Sequence, residues 1–552
     1  MPKPDLSYAI IGGGISGIAL AIALHRSGVD VRIFEQASQF KASGAGVSFT
    51  PNALQAMQVC HPAIYEAFQR VCTRNIWPSK QKVWFDYYDH HHASHHGKPA
   101  FSITNQFGQN SVHRARFIDE LVKLLPADMV SFDKRLDRYE EQDGGRYRLH
   151  FADGSTHVAD GILACDGIKS RVRQLMFRAG HPCATPSYTY KYAYRALVPM
   201  EDAVWAMGEE KAQNAAMHLG AGGHVLTFPV NHGKTVNVVA FRATQRDWPN
   251  SARLTAESTR EAALRDFAHL GPEITALLRL TNPKLDVWAI FDLGDNPPPT
   301  LSRGGVCLVG DAAHATSPHH GAGAGFCIED AAVLAHLLSD KRVADHVALR
   351  VALQAYSEAR RERASWLVQS SRHMGNMYEW LAPGIQGLAE VEEEIKCRNG
   401  VIADVDVAGM CGAARELFAR GYDMLQQNWR NDKRAGGGIG AKKRCAAQGL
   451  GSVVRRRALA LAWQLVFKCA VDAVGVIHFR LCGPWLHRPG SVPTEFEGPD
   501  AGSESSGELR LSGFGARRRG PFFGRPQALT RAVGCNRIAL RRPQQNTAIS
   551  WP

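Results

Sequence analysis

The order of apolar and polar positions divides the chain into blocks of different period. Residues 7–36 hold an apolar run (YAIIGGG), a stretch of helical spacing (ISGIALAIALHRSG) and a second apolar run (VDVRIFE). That order predicts two parallel strands joined by a helix. Residues 146–164 (RYRLHF, the turn DGS, then THVADGILACDG) predict a hairpin leading to a further strand. From 185 to 245 the chain is rich in alternating Tyr, Val and Phe, which predicts a sheet outside the first block. Residues 255–281 predict helix, with Glu and Arg on one face. GVCLVGD at 305–311 predicts a strand, followed by a glycine loop and the helix FCIEDAAVLAHLLSD. The run 351–380 predicts a long helix, with RRER as its solvated charged face.

After residue 431 the periodicity is lost. RAGGGIGAKKR, GFGARRRGPFFGRP and RRPQQNTAIS are rich in Gly, Arg and Pro, a composition that favours disorder. The run RRRALALAWQLVFKCAVDAVGVIHF could form a helix, interrupted by Lys468, Asp472 and Gly475. An appended, poorly folded extension is the preferred reading over a basic membrane-surface segment. GGGIG at 436–440 imitates a nucleotide loop, but no strand precedes it.

The expected class is α/β with an α+β insertion. A Rossmann-like domain is drawn discontinuously from 1–180 and 290–385, and a mixed-sheet substrate domain from 185–285. A C-terminal helical segment at 386–430 and a basic low-order extension at 431–552 complete the division.

At 552 residues the chain is long enough for a sizeable core. The first apolar run leads straight into a glycine motif, so it reads as a strand and not a signal peptide. No stretch suits a spanning helix. The 12 cysteines show no CxxC spacing and read as free thiols of a cytoplasmic protein, with Cys165, Cys307 and Cys327 in the core. The formal charge of +13 changes meaning once localised. Residues 431–552 hold 20 of the 65 basic and 7 of the 52 acidic residues, leaving 45 of each sign in residues 1–430. The folded part is neutral, and nucleic acid is not an expected partner.

Three motifs carry chemistry. Gly12-x-Gly14-x-x-Gly17 follows a strand and opens a helix, and Glu35 closes the next strand. Such glycines let the backbone approach a pyrophosphate at the positive end of a helix. Glu35 can accept ribose hydroxyls and would repel a 2′-phosphate, which suits FAD or NAD over NADP. The second motif runs from Ala164 through Asp166 and Gly167 to Arg173, directly after a strand. The third is Gly310-Asp311-Ala312-Ala313-His314, continuing to Pro318 and the loop Gly321-Ala322-Gly323-Ala324-Gly325. Asp311, at a strand end, can bond a polyol. The loop amides can form an anion site, helix ends being worth about 0.3–2 kcal/mol. The run HHHASHH at 90–96 lacks the spacing of a metal site and reads as a solvated loop, so no metal is expected.

In these motifs the sequence resembles the group A flavoprotein monooxygenases, with the fold of p-hydroxybenzoate hydroxylase. It looks closest to the salicylate-hydroxylase-like branch of fungal aromatic and polyketide metabolism. The resemblance implies FAD as cofactor, NAD(P)H as reductant, O2 as oxidant and a phenolic or salicylate-like substrate that is hydroxylated, with or without decarboxylation. It implies that Gly12, Gly14, Gly17 and Glu35 hold the ADP half of FAD. Asp311 binds the ribityl chain, and Asp166 and Gly167 serve both FAD and NAD(P)H. Arg114, in VHRARFIDEL, matches a flavin-proximal arginine, while Gly46 and Ser48, in GAGVSFTPNA, lie on a strand beside the flavin ring. Gly323 and Ala324 lie at its anionic edge.

For substrate, Arg195 in YKYAYRALVPM matches an orienting arginine. Phe228 stands where dearomatising relatives carry a tyrosine, which favours simple or decarboxylative hydroxylation. His314, His319 and His320 are candidate proton relays against a weightier structural reading, and His320 is carried forward as the catalytic candidate. Two other readings stay open: an FAD-dependent oxidoreductase that inserts no oxygen, and a flavin-binding pseudoenzyme. Intact Glu35, Arg114 and Asp311 argue against the second.

Overall fold

The block at residues 7–36 folds as its pattern predicts. In the computed structural model β1 (Ser7–Ile11) and β2 (Asp30–Phe34) pair in parallel, joined by the helix Ile15–Arg26. That helix is buried continuously from Ile15 to Leu24, which explains its unbroken Ile, Leu and Ala. It is packed against the helix Gly323–Leu338 as well as the sheet. The structure describes residues 6–40, 46–92, 97–178 and 180–434, and these lie in one compact unit.

The first sheet has the order β18 (Ser302–Arg303), β19 (Val306–Leu308), β11 (Gly161–Ala164), β1, β2, β7 (Val130–Ser131). All of its pairings are parallel except β18 with β19. Its central strands come from distant parts of the chain, yet their C-terminal ends meet. Gly12 follows β1, Asp166 follows β11 and Asp311 follows β19, so the three motifs share one edge, where open α/β sheets bind ligands. The predicted hairpin at 146–164 forms β9 (Tyr147–Phe151) and β10 (Thr156–Ala159), with β8 (Leu136–Glu141) on the far side of β9.

The second sheet is mixed, as expected. Its order is β16 (Thr255–Thr259), β17 (Lys284–Asp292), β12 (Ser187–Pro199), β15 (Thr235–Ala243), β14 (Gly223–Val230), β13 (Ala216–Gly220), β4 (Val83–Asp89) and β5 (Phe101–Thr104). Only β13 and β4 pair in parallel. The period of two gives each strand two destinations. Tyr194, Val225 and Val238 pack on a helical layer with Phe267 and Ile274. Met217, Leu226, Phe228 and Phe241 face the other way, toward Met374 and Tyr378 of the helix His346–Tyr378. On the helical side the hydroxyls of Tyr192 and Tyr194 both donate to Asp266, at 2.8 and 2.7 Å, which points Ala193 and Arg195 to the opposite face. A two-stranded ladder, β3 (Gly46–Ser48) with β6 (Ser111–His113), completes the strands.

The structure corrects three details. Residues 255–259 are the edge strand β16, and helix begins only at Arg260, because β17 offers them a free edge. The helix after the glycine loop starts at Gly323 and not near Phe326, which places Gly323 and Ala324 in its first turn. RRER is not all solvated: Arg360 is fully buried while Glu362 is exposed, since Arg360 answers two acids inside the core.

Cys165, Cys307 and Cys327 are buried, and the eight described cysteines are free. Asp89 accepts from His92, whose ring packs on Trp380, and no metal-binding cluster occurs among the described residues. Nor is any described helix long and apolar enough to cross a membrane. The expectations for the chain beyond Arg434, including the run with Lys468, Asp472 and Gly475, lie outside the described residues, as do Gly44 and Ala45 of GAGVSFTPNA.

Candidate functional site

The glycine motif is fixed by contacts that leave no room for a side chain. Gly12 has φ +104°, and a Cβ there would stand 2.4 Å from the Cys165 carbonyl oxygen; one on Gly17 would stand 2.0 Å from the oxygen of Gly12. Gly17 thus seats the helix against the turn and lies behind the site. Gly14 caps the helix Ile15–Arg26 with no side-chain acceptor and no acid in the first turn, and nothing lies within 4 Å of where its Cβ would be. The first N–H groups therefore face open space, an anion site by construction.

That space is a cavity of about 450 Å³ lined by Gly12, Gly14, Glu35, Arg114, Asp166 and Gly167, with Lys134, Arg135, Lys169 and Arg171 also lining it. Glu35 is held from two sides: Gly13 N–H donates to Oε2 at 2.6 Å and Ala37 N–H to Oε1 at 2.8 Å. Its remaining lone pairs can take further donors. Asp166 Oδ2 accepts from Val172 N–H at 3.1 Å, while its buried Oδ1 has no partner among the described residues. Burial pushes this carboxyl up.

A second cavity, of about 440 Å³, adjoins the first. Gly14, Arg114 and Gly167 line both. Around the second stand Gly46 and Ser48 of β3, then Asp311, Gly323 and Ala324. Asp311 is exposed to it; its deep setting pushes the carboxyl up, against the pull of His314, Arg114 and Arg173. Arg114 begins the helix Arg114–Val122; burial pulls its pKa down, opposed by Asp311 and Glu35. The helix Gly323–Leu338 has no side-chain N-cap bond, so its first amides are also available.

The wall from the mixed sheet is mostly apolar: Trp84, Met217, Leu226, Phe228 and Phe241. Trp84 and Phe85 both reach the cavity because a register shift between Val83 and Phe85 breaks the alternation of β4. Arg195 is the cation of this wall. Its guanidinium lies 4.7 Å from the centre of the Trp288 ring, and burial alone shifts its pKa downward, with no acid opposing.

His320 also lines the cavity, but its Nε2 is bonded to Ser370 Oγ at 2.9 Å, and burial, then Arg398, pull its pKa down to about 3. The ring is neutral and engaged, which weakens it as a base. Every other predicted site residue except Gly17 and His314 borders one of the two cavities.

Sequence reasoning missed the groups that fix the Asp311 turn. Asp330 Oδ2 accepts from Gly310 N–H at 2.9 Å and pairs with His314 Nε2 at 2.7 Å; Oδ1 accepts from Arg360 Nε at 2.7 Å. Arg360 continues to Glu329 at 2.7 Å, and Asn52 donates to Glu329 at 2.6 Å. All of these side chains are buried. The signal was present: Glu329 and Asp330 are adjacent acids in an otherwise apolar helix, a pattern tolerated only with paired cations. Tyr87 and Tyr378 at the cavity were also missed.

Two uncapped helix ends, an unpaired carboxylate oxygen and a carboxylate facing the second cavity suit an elongated anionic dinucleotide, so the residues fit FAD. The FAD binding domain family matches residues 5–371. An FAD-dependent monooxygenase of Monascus ruber, pigN, is 44% identical over 76% of this chain and 98% of its own. A salicylate hydroxylase of Sarocladium schorii is 38% identical over 76% of this chain and 92% of its own. Among solved structures, a salicylate hydroxylase in complex with substrate is 36% identical, with a TM-score of 0.66, over 75% of this chain and 98% of that one. The chain belongs to the FAD-dependent monooxygenases.

Proposed function

We propose that this monooxygenase hydroxylates a small acidic aromatic compound, a phenol or salicylate-like acid, with NAD(P)H as reductant. The observation that carries this reading is Arg195: a guanidinium in an apolar wall, stacked on Trp288 and without a counter-charge among the described residues. A half-buried cation of this kind favours a carboxylate or phenolate, and its fork suits either. The names of the salicylate hydroxylase relatives point to the same substrate class.

FAD, when bound, supplies electron transfer from NAD(P)H and activation of O2. The chain supplies the rest. Gly12 and Gly14 would bring backbone N–H groups to the pyrophosphate, with Gly17 fixing the helix behind them, and Glu35 would take ribose hydroxyls. Asp311 would take the ribityl chain; Arg114 and Gly167 stand where the two cavities meet, with Asp166 in the first. Gly323 and Ala324 would offer amides to the flavin, with Gly46 and Ser48 of β3 beside them. Phe228 and its apolar neighbours exclude water, which protects the oxygen-transfer step from wasteful decay. His320, paired with Ser370, shapes the wall. Net, one C–H becomes C–OH, the second oxygen atom leaves as water, and NAD(P)H and a proton are consumed. The same reading assigns residues 1–180 and 290–385 to cofactor, except that β4 and β5 extend the mixed sheet, which with 185–285 serves the substrate, and 386–430 to a C-terminal helical segment.

The test is a panel of benzoates, salicylates and phenols of increasing size, each scored for stimulated NAD(P)H oxidation and for product mass. Acids that stimulate oxidation and gain one oxygen support the reading. Stimulation confined to uncharged aromatics would remove Arg195 from its role.

A further inference from the structure

A third cavity, of about 820 Å³, adjoins the second and has no part in the site built so far. The two meet at Trp84, which lines both. The third is bounded by the start of the helix Pro51–Cys60, by β5 and the turn after it, and by the helix Leu388–Ala403 with the link that follows.

The position of Trp84 follows from an irregularity in β4. Val83 pairs with Thr104 and Phe85 with Ile103, so Trp84 is the extra residue of a bulge. The pairing of β4 with β13 begins only at Asp86, which leaves Trp84 without a register partner on either side. Its ring stands edge to face with Phe85, at 5.6 Å and 84°, and near Gly321, where a Cβ would come 3.6 Å from it. Gly321 has φ +65°, which glycine adopts without strain. One flat ring, held by packing, divides the two spaces.

The second cavity, about 440 Å³, has to take the flavin ring as well as the aromatic acid, so a long substituent on that acid has no room in it. Of the two spaces that border it, the first suits the ADP half of FAD, and the third is left. Its lining is polar and carries little free charge. The side chains of Gln55, Thr104 and Gln106 have no hydrogen-bond partner among the described residues. Asn105 Oδ1 accepts from Phe107 N–H at 2.9 Å, which leaves its amide N–H groups to donate. Lys396 is the only cation of the lining, and it pairs with Glu392 at 2.6 Å. Asp406 accepts from Gly409 N–H at 2.9 Å, and Asp404 is exposed. The uncommitted groups are therefore amides and a hydroxyl, which suit ether, hydroxyl or carbonyl oxygens of a neutral chain. They offer little to a plain alkyl chain and no free cation to a second acid.

We propose that the third cavity is a substrate subsite for a neutral, oxygen-bearing side chain of the aromatic acid, which passes the edge of the Trp84 ring to reach it. This rests on the reading of the second cavity as the site of the ring and deepens it: the preferred substrate is a salicylate-like acid with one extended, oxygenated substituent, not a bare ring.

The test uses the FAD-loaded enzyme, with dissociation constants read from the perturbation of the flavin spectrum. The ligands are salicylate and salicylates carrying, at each open ring position in turn, a hexyl chain or a chain of the same length with ether and hydroxyl oxygens. The proteins are wild type, Ala403→Trp, which fills the third cavity from a partly exposed position, and Gln55→Leu with Gln106→Leu, which removes the uncommitted amides. At one ring position, wild type is expected to bind the oxygenated acid about 10- to 100-fold more tightly than salicylate. Ala403→Trp is expected to erase that gain and to leave salicylate within about threefold. The double leucine variant is expected to bind the oxygenated and hexyl acids alike. If no chain improves binding at any position, or both variants keep the gain, the third cavity is not a subsite. If Ala403→Trp slows association of every acid without changing their relative affinities, the cavity is only a passage and the proposal fails. If wild type binds none of the acids, salicylate included, the substrate reading itself fails.

Discussion

Arg195 rests its guanidinium 4.7 Å from the centre of the Trp288 ring, on the face of β12 that looks into the cavity. A cation–π contact is worth about 0.5–2 kcal/mol, less than the cost of burying a charge. The contact orients the guanidinium without neutralising it. What remains is a fixed positive charge in an apolar wall, and an anion is the ligand that relieves it.

Removal of that charge is the simplest check. Arg195→Met is expected to retain FAD, because Arg195 stands on the mixed-sheet wall against Trp288, and to raise the dissociation constant of acidic aromatics by about 30-fold or more. Arg195→Lys keeps the charge but loses the guanidinium over the Trp288 ring, so it should fall between the two. Titration of each variant followed by flavin fluorescence decides the order. Equal affinity across all three would remove the ion pair from the account.

The Asp311 turn depends on Asp330. Asp330→Asn leaves Arg360 and His314 without their shared carboxylate. Breaking a buried pair from one side costs about 3–5 kcal/mol. A melting temperature lower by about 5–10 °C is expected, together with FAD lost on gel filtration. A variant that melts like wild type and holds FAD would show that the network is ornamental.

The same pair sets a pH dependence with a definite sign. His314 is raised above its ordinary 6.5: burial lowers it, but Asp330 overcomes burial. Its contribution is full below 6.5 and is lost as pH rises through the raised value. Asp330 is depressed from 3.8 to about 2, so its contribution is full above 3.8 and is lost as pH falls toward 2. The stability difference between wild type and His314→Gln should therefore be largest between about pH 4 and 6.5 and should shrink in alkali. Thermal melts at pH 5, 7 and 9 measure it, and a difference that grows with pH would refute the assignment.

Gly46 and Phe228 form a further close pair. A Cβ on Gly46 would stand 2.7 Å from the Phe228 ring and 2.9 Å from Asn237, whose Oδ1 accepts from Gly46 N–H at 3.0 Å. Gly46→Ala is expected to push Phe228 into the cavity and cut turnover by about tenfold or more, an overpacking cost of about 1–3 kcal/mol. Gly46→Ala with Phe228→Leu should recover much of it. No recovery in the double variant would place the damage in the β3 backbone.

The sequence made the cofactor side legible for a physical reason. Gly12, Glu35, Asp166 and Asp311 follow strand ends, and backbone geometry there admits few residues, so local pattern and distant function coincide. The wall around Arg195 and Phe228 could be placed on strands, but which face met the cavity depended on Asp266 drawing Tyr192 and Tyr194 to the other side. Residues 255–259 read as helix because strand pairing with β17 is invisible in a local window. Arg360 read as surface because its partners, Glu329 and Asp330, lie on another helix. His319 was named beside His314 and His320, yet only packing separates them: His314 is paired with Asp330 and His320 with Ser370, while neither ring nitrogen of His319 has a hydrogen-bond partner among the described residues.

Isotope labelling shows whether the enzyme transfers one atom of O2 to an acidic aromatic ring. With the best-bound acid, NAD(P)H and ¹⁸O2, the hydroxylated product is expected to carry one ¹⁸O atom in nearly every molecule, formed in proportion to the NAD(P)H consumed. Oxidation of NAD(P)H that yields only hydrogen peroxide, with no label in any aromatic product, would contradict it.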